Sequence, residues 1–514
     1  MAESSAAFDP PVADRPRRII WLWLVPATIA VGALAAIRPE LALAAGAAAT
    51  GIILVSLRDR TARLFLLSLA VALIGYAFAG RGFAYVGVAP LYVGEVALIL
   101  GLIAMMAALP LPRVGFVQIL ILSFMAWGAI RTLPYIGEFG VDALRDGVVW
   151  GYAAFALLVS VMATPAGITT IIRLYARVLP LFIVWVPAFA LLWQAGASYL
   201  PRLPGADIPI PYFKPGDFAV HLAGVAAFVL AGLTGAGPWR LRAQPLLWAI
   251  WLLGFVAISA LSRGGMLAML TVAALLLFVR SPSRWGGPIL VGLLLLSVAG
   301  LTNVQVDLGT RRDVSVAQLL ENVRSVIGES DDPGLADTRE WREDWWDAIV
   351  DYTVHGQYFW QGKGFGINLA EDDGIPAPAD GSLRAPHNAH LNILARTGIP
   401  GLLLWVAVQG AFGISLIRAG IVASRTKRAL WLGVVGWIFV YWLAALVNMT
   451  FDVYLEGPQG GIFFWSLIGL GLAVASFIQD GRTQEFDGTD RPSVGVGDAG
   501  WQGEWARQAR TGSA

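Results

Sequence analysis

Apolar residues fall into long runs separated by short polar breaks, and the runs have the length, about 17 to 22 residues, that crosses a bilayer as a helix. Candidate spans start near residues 19, 41, 64, 91, 115, 147, 178, 218, 245, 264, 286, 396, 430 and 461. The pattern predicts an all-α, polytopic integral membrane protein with about 14 (12–14) transmembrane helices. The short run at 41–57 and the Pro- and Gly-containing run at 91–110 are the two whose loss would lower the count. One long polar stretch, 302–386, interrupts the series and predicts a large extracytoplasmic loop. The expected organisation is an N-terminal tail (1–18), transmembrane helices 1–11 (19–301), the loop (302–386), a re-entry helix with transmembrane helices 12–14 (387–478), and a tail (479–514). That tail is rich in Gly, Asp, Arg and Thr; it buries too little apolar surface to offset ordering entropy and is expected to be disordered.

Composition sharpens this reading. The chain is 57% hydrophobic and 14% charged, with a mean hydropathy of +0.67, whereas soluble domains are about one quarter charged. Net charge is +1, which gives no footprint for nucleic acid; the distribution of charge carries the information. Arg58, Arg60 and Arg63, Arg113, Arg173 and Arg177, Arg240 and Arg242, Arg280 and Arg284, and the group Arg418, Arg425, Lys427 and Arg428 recur at every second break. That alternation makes their side, and both termini, cytoplasmic. The chain has no Cys, which excludes thiol nucleophiles, disulfides and Cys-ligated metal.

The loop 302–386 has sixteen Asp and Glu against seven Lys and Arg, so its cations stand out. Between Thr338 and Tyr352, Trp341, Trp345, Ala348, Ile349 and Tyr352 recur at helical spacing, which predicts an amphipathic helix lying against the membrane surface with its tryptophans as interfacial anchors. Gln361-Gly-Lys-Gly-Phe-Gly-Ile-Asn368 reads as a glycine-rich turn, lacking the strand, helix and spacing of a nucleotide loop. Pro386 suits the first position of a helix ending near Thr397, with Gly398 as its stop and Pro400 beyond. His387 then falls in the first turn, where the positive end of the helix keeps imidazole neutral and attracts a phosphate-like group. His390 follows one turn later, but His-x-x-His with no third ligand is a weak metal motif, and no metal is expected. Arg263, which interrupts two apolar runs, and Glu95, inside another, need partners or substrate. The acidic groups at 329–332 and 371–373 read as solubility features.

Three local motifs, Ser262-Arg-Gly264, Thr338-Arg339 with Trp341 or Trp345 and Gly362-Lys-Gly-Phe-Gly366, and His387-Asn388 with Gly398-Ile-Pro-Gly401, resemble the O-antigen ligase and O-antigen polymerase superfamily of bacterial polyprenyl-linked glycan transferases. The resemblance covers roughly residues 80 to 475. It implies an inverting, metal-independent glycosyltransferase of the bacterial inner (plasma) membrane, with its active site on the periplasmic face. Its donor would be an undecaprenyl-pyrophosphate-linked glycan and its acceptor a glycan, lipid or protein hydroxyl, with no cofactor, ATP or nucleotide sugar. By position, Arg263 and Arg339 inherit the holding of the diphosphate and His387 the role of base. Arg145, Arg384, Asn388 and His390 are the candidate substrate-binding residues; Arg145-Asp146 resembles a further family element, and Lys214 and His221 are candidates to line the donor path. A lipid-linked glycan flippase or exporter without transferase chemistry is the alternative.

Overall fold

The structure, a computed structural model, describes residues 58–88, 91–107, 114–203, 208–236, 245–279, 305–306, 314–315, 333–376 and 383–483. The helices in chain order are α1 (Arg58–Ala79), α2 (Val93–Ala107), α3 (Phe116–Thr132), α4 (Val141–Gly151), α5 (Ala154–Met162), α6 (Pro165–Gly196), α7 (Pro215–Leu230), α8 (Pro245–Leu261), α9 (Arg263–Val279), α10 (Pro333–Val350), α11 (Ala389–Arg425), α12 (Ala429–Asn448) and α13 (Pro458–Gln479). Two small antiparallel pairs accompany them: Gly87–Val88 with Leu91–Tyr92, and Gln305–Val306 with Val314–Ser315. The protein is all-α with apolar, membrane-type helices.

Helix starts follow the local chemistry. Thr164 accepts the Gly167 amide ahead of Pro165 at the start of α6, and Pro215 and Pro458 open α7 and α13, where a missing amide proton costs nothing. In α11 the side chain of Asn388 accepts from the amides of His390 and Leu391, while Gly398 leaves the helix at φ 67°. The chain thus folds as a short segment to Thr397 and a long one beyond. A side chain at Gly398 would meet the Phe359 carbonyl at 2.5 Å, so only glycine fits the break.

By length and composition, six helices among the described residues are able to cross a membrane, or seven if α4 and α5, bent by 43°, form one span. Helices α2, α7, α8 and α9 are apolar but shorter. The predicted runs from 64, 91, 115, 147, 178, 218, 245, 264, 396, 430 and 461 each coincide with a helix. The runs from 19, 41 and 286, both expected tails beyond the ends of α1 and Thr483, and most of 302–332 lie outside the described residues.

Packing separates lipid-facing helices from a protein-enclosed axis. The most apolar stretch of α13 is 89% buried and that of α1 only 22%. Leu64, Leu67, Val71 and Ile74 accordingly form an exposed apolar stripe on α1, as a bilayer allows. Helix α13 packs on α5, α11 and α12, and at Gly469 the backbones approach so closely that a Cβ would stand 2.6 Å from the Ala156 carbonyl. Small residues at such crossings are how membrane helices gain dispersion contacts without a hydrophobic drive.

Helix α10 is amphipathic as expected, but its apolar face packs on protein instead of lipid. Trp345 and Ile349 are fully buried with Leu369, Ala370, Leu394 and Ala395. The indole N–H of Trp345 donates to Asp373 Oδ2 at 2.6 Å and that of Trp346 to the Pro386 carbonyl at 2.8 Å. The interfacial-anchor reading of these tryptophans is therefore corrected: the short segment of α11 supplies the apolar surface expected of the bilayer.

Candidate active site

The polar centre is built on the connection between α12 and α13. The Ala389 amide donates to the Met449 carbonyl at 2.8 Å, which seats the start of α11 on this connection. A Cβ at Gly264 would stand 2.7 Å from Phe451 Cβ, which seats the start of α9 and brings Arg263 to the same place. Lys214, the residue before α7, contacts Asp452 at 3.0 Å and Asp217 at 3.5 Å, and Gln459, at the start of α13, donates to Asp217 Oδ2 at 3.2 Å. The starts of four helices, α7, α9, α11 and α13, thus surround one short connection. Their positive dipole ends favour an anion there.

His387 stands at the rim. Its φ of 52° is one of two positive values among non-glycine residues of the described chain, a conformation that costs of order 1–3 kcal/mol unless surroundings enforce it. Trp346 holds the preceding carbonyl, and the Asn388 cap with the Ala389–Met449 bond holds the following residues. Trp341 meets the imidazole edge-on, ring centres 6.2 Å apart. Burial, reinforced by the charges of Arg342 and Lys214 and opposed by Asp452, lowers the imidazole to about 4. The ring is neutral at physiological pH and free to accept a proton. The cause differs from the one expected. His387 precedes the cap instead of occupying the first turn, and burial with Arg342 replaces the helix dipole as the main influence.

A second ionic cluster lies above. Asp146 Oδ2 accepts from the Gly366 amide at 3.1 Å and Arg384 Nη2 at 3.1 Å, and pairs with Arg396 Nη2 at 3.2 Å. Arg396 is 2% exposed; it also donates to Asn392 Oδ1 and to the carbonyls of Gly364 and Ile367. Asn392 donates to Glu456 at 2.5 Å. Burial pushes the Glu456 carboxyl up to about 7 against the pull of Arg396. The Gly362–Gly366 segment is the predicted glycine-rich turn, and it wraps Arg396: the amides of Lys363 and Gly364 donate to the carbonyls of Ala395 and Arg396. Lys363 pairs with both Asp372 and Asp373. Burial opposes its charge, but those two carboxylates outweigh it and raise the ammonium above its usual range.

The expected site residues divide accordingly. His387 and Arg263 reach the same connection. Arg339 lies on α10, one turn before Arg342, whose charge acts on His387. Arg384 is bound within the Asp146 cluster. Asn388 spends its side-chain oxygen on the helix cap. His390 accepts from Trp405 at Nδ1 (3.0 Å) and donates from Nε2 to the Leu446 carbonyl at 3.3 Å, so both its nitrogens are engaged internally. Arg145 is largely exposed and pairs with Asp142 at 3.5 Å. His221 is a core residue against Phe182, Tyr441 and Phe463; the donor-path expectation for it is corrected. Glu95 finds the Tyr152 hydroxyl at 2.7 Å.

Sequence reasoning missed Arg396, Arg342 and Asp452. The signal for Arg396 was available, since a cation inside an apolar run needs a partner. Asp452 and Arg342 carried none, because charged residues in loops are ordinary.

A family model described as O-antigen ligase matches residues 248–406, a stretch that includes Arg263, Arg339, Arg384 and His387. This is narrower than the 80–475 suggested by the motifs, and it leaves out Asp146, Lys214 and Asp452. No curated protein matches the chain.

Proposed function

As a member of the O-antigen ligase superfamily, this chain, we propose, transfers a glycan from an undecaprenyl-pyrophosphate carrier to an acceptor hydroxyl at the outer face of the inner membrane. The observation that carries the reading is a neutral imidazole, held on strained backbone, beside Arg342 and a convergence of helix starts. In a single displacement the acceptor oxygen bonds to the anomeric carbon, the carbon–oxygen bond to the diphosphate breaks, and configuration inverts. The acceptor proton passes to His387. Arg263 and Arg339 stabilise the charge that develops on the departing diphosphate through bidentate, charge-assisted hydrogen bonds.

An imidazole near 4 is a weak base alone, but an incoming diphosphate supplies the negative charge that favours imidazolium. The base therefore strengthens when the donor is in place. Among the proposed sidedness marks, the basic ends Arg58, Arg60, Arg63, Arg418, Arg425 and Arg428 lie at the opposite helix ends from His387 and Lys214, which supports an outward-facing site.

The test is glycan transfer by purified protein with a polyprenyl-pyrophosphate oligosaccharide and separate lipid, glycan and peptide acceptors. Release of polyprenyl pyrophosphate with a matching glycosylated product, lost in His387→Ala, Arg263→Ala and Arg339→Ala, is the expected result. Donor translocation in liposomes without release, unchanged in His387→Ala, would replace the transferase with a flippase.

A further inference from the structure

A lysine precedes Pro215 at the cap of α7 and makes no side-chain cap bond. Caps favour Ser, Thr, Asp or Asn, and a cation beside the positive end of a helix is locally unfavourable. Residues that break a local rule mark places where another requirement decides.

We infer that Lys214 is a positioning residue for the transfer reaction proposed above: its ammonium clamps the Asp452 carboxylate and so fixes the charge that faces His387. The inference rests on that proposed reaction for its consequence and on geometry for its content. Lys214 Nζ lies 3.0 Å from Asp452 Oδ2 and 3.5 Å from Asp217 Oδ1, and it donates to the Val453 carbonyl at 3.4 Å. Asp217 is tied in turn to Gln459. One ammonium therefore joins the starts of α7 and α13 to the connection on which His387 is seated. The approach is close: a Cβ at Gly216 would stand 3.0 Å from Asp452 Oδ2 and 2.7 Å from Asn448 Oδ1.

The charged groups that act on His387 come from three elements, Arg342 of α10, Asp452 of the α12–α13 connection and Lys214; Arg263 at the start of α9, Asp217 of α7 and Glu456 of the connection stand at the same end. The charge of Arg81, on the turn after α1, opposes that of Lys214. Asp452 left to itself would favour imidazolium and raise the pH at which the ring takes up a proton. Clamped by Lys214 at 3.0 Å, the carboxylate is held in place with a cation beside it.

The experiment measures kcat/KM against pH for full-length protein in nanodiscs, alongside the histidine titration by NMR, with the His387 signal identified by its loss in His387→Gln. In Lys214→Met the acid limb and the His387 titration move upward by roughly one pH unit, as expected for uncovering a nearby carboxylate. Lys214→Arg keeps both at the wild-type position, and Lys214→Met combined with Asp452→Asn returns them toward it. A loss of activity in Lys214→Met that is equal at all pH, with no shift in the titration, overturns the inference and leaves Lys214 a structural clamp. Should Lys214→Met fail to fold, Lys214→Gln is read in the same way, and titrations identical to wild type overturn it. The NMR arm does not depend on turnover, so a protein that transfers no glycan refutes the proposed function while the titration still decides the role of Lys214.

Discussion

Around Asp146, the charged groups pair with one another and with backbone, though Arg384 Nε lacks a hydrogen-bond partner among the described residues. Asp146 Oδ2 receives Arg384, Arg396 and the Gly366 amide, and the remaining donors of Arg396 meet Asn392 and two carbonyls. Around His387 the accounts stay open. Asn448 is fully buried, yet neither atom of its amide has a hydrogen-bond partner among the described residues, and Gln459 Oε1 lacks one as well. Both clusters use arginine, carboxylate and amide side chains at the same end of the bundle. Completed networks rigidify, whereas buried polar atoms without partners mark places where water or a ligand completes the structure. The first cluster fastens the loop to the bundle; the second is the one that the proposed function assigns to substrate.

The comparison breaks most severely if the first cluster is dispensable. Asp146→Ala strands two buried guanidinium groups and is expected to cost about 3–5 kcal/mol, read as a large fall in thermal unfolding temperature and rapid proteolysis of the loop in detergent. An unchanged unfolding temperature would show that Asp146 is not the fastening. At the second cluster the effect falls on chemistry. His387→Ala lowers transfer by about 10²–10⁴-fold, the usual contribution of a general base, while its unfolding temperature stays near wild type; parallel losses of both would erase the distinction.

The electrostatics of His387 sharpen it further. Because the neutral ring accepts the proton, kcat/KM is lost as pH falls through about 4, and an unperturbed histidine would place that limb near 6.5. Arg342→Gln removes a cation that opposes protonation, so the limb moves upward; a limb that stays in place excludes Arg342 from the site. The smallest effect belongs to the loop: Trp345→Phe forfeits the bond to Asp373 and destabilises by about 1 kcal/mol, with transfer retained.

Much of this was legible in the chain. Run length revealed the helices because a bilayer demands about 20 apolar residues irrespective of partners. Gly398 with Pro400 announced a break because backbone chemistry is local. His387 and Arg263 were found through short motifs, and the structure brings both to one connection. The destination of an apolar face was not legible: Trp341 and Trp345 look the same whether lipid or protein covers them, and the contact with Leu394 and Ala395 spans about fifty positions. Partnerships such as Asp146 with Arg396 or Lys214 with Asp452, more than two hundred residues apart, were closed to sequence reasoning for the same reason. Asn388 and His390 were read as substrate contacts because a polar residue beside a motif carries no label distinguishing a cap or buttress from a ligand.

The enclosure of α13 has a consequence for biogenesis. This helix emerges from the ribosome after every other described helix, yet it occupies the centre of the bundle and contributes one wall of the connection beneath His387. The earlier helices therefore have to wait around a vacant axis, and the floor of the site is completed only when the last of them enters. A nascent protein lacking α13 carries most of the matched motifs and has no assembled centre in which to use them. Synthesis order thereby leaves the centre of the bundle to be completed by the last described helix.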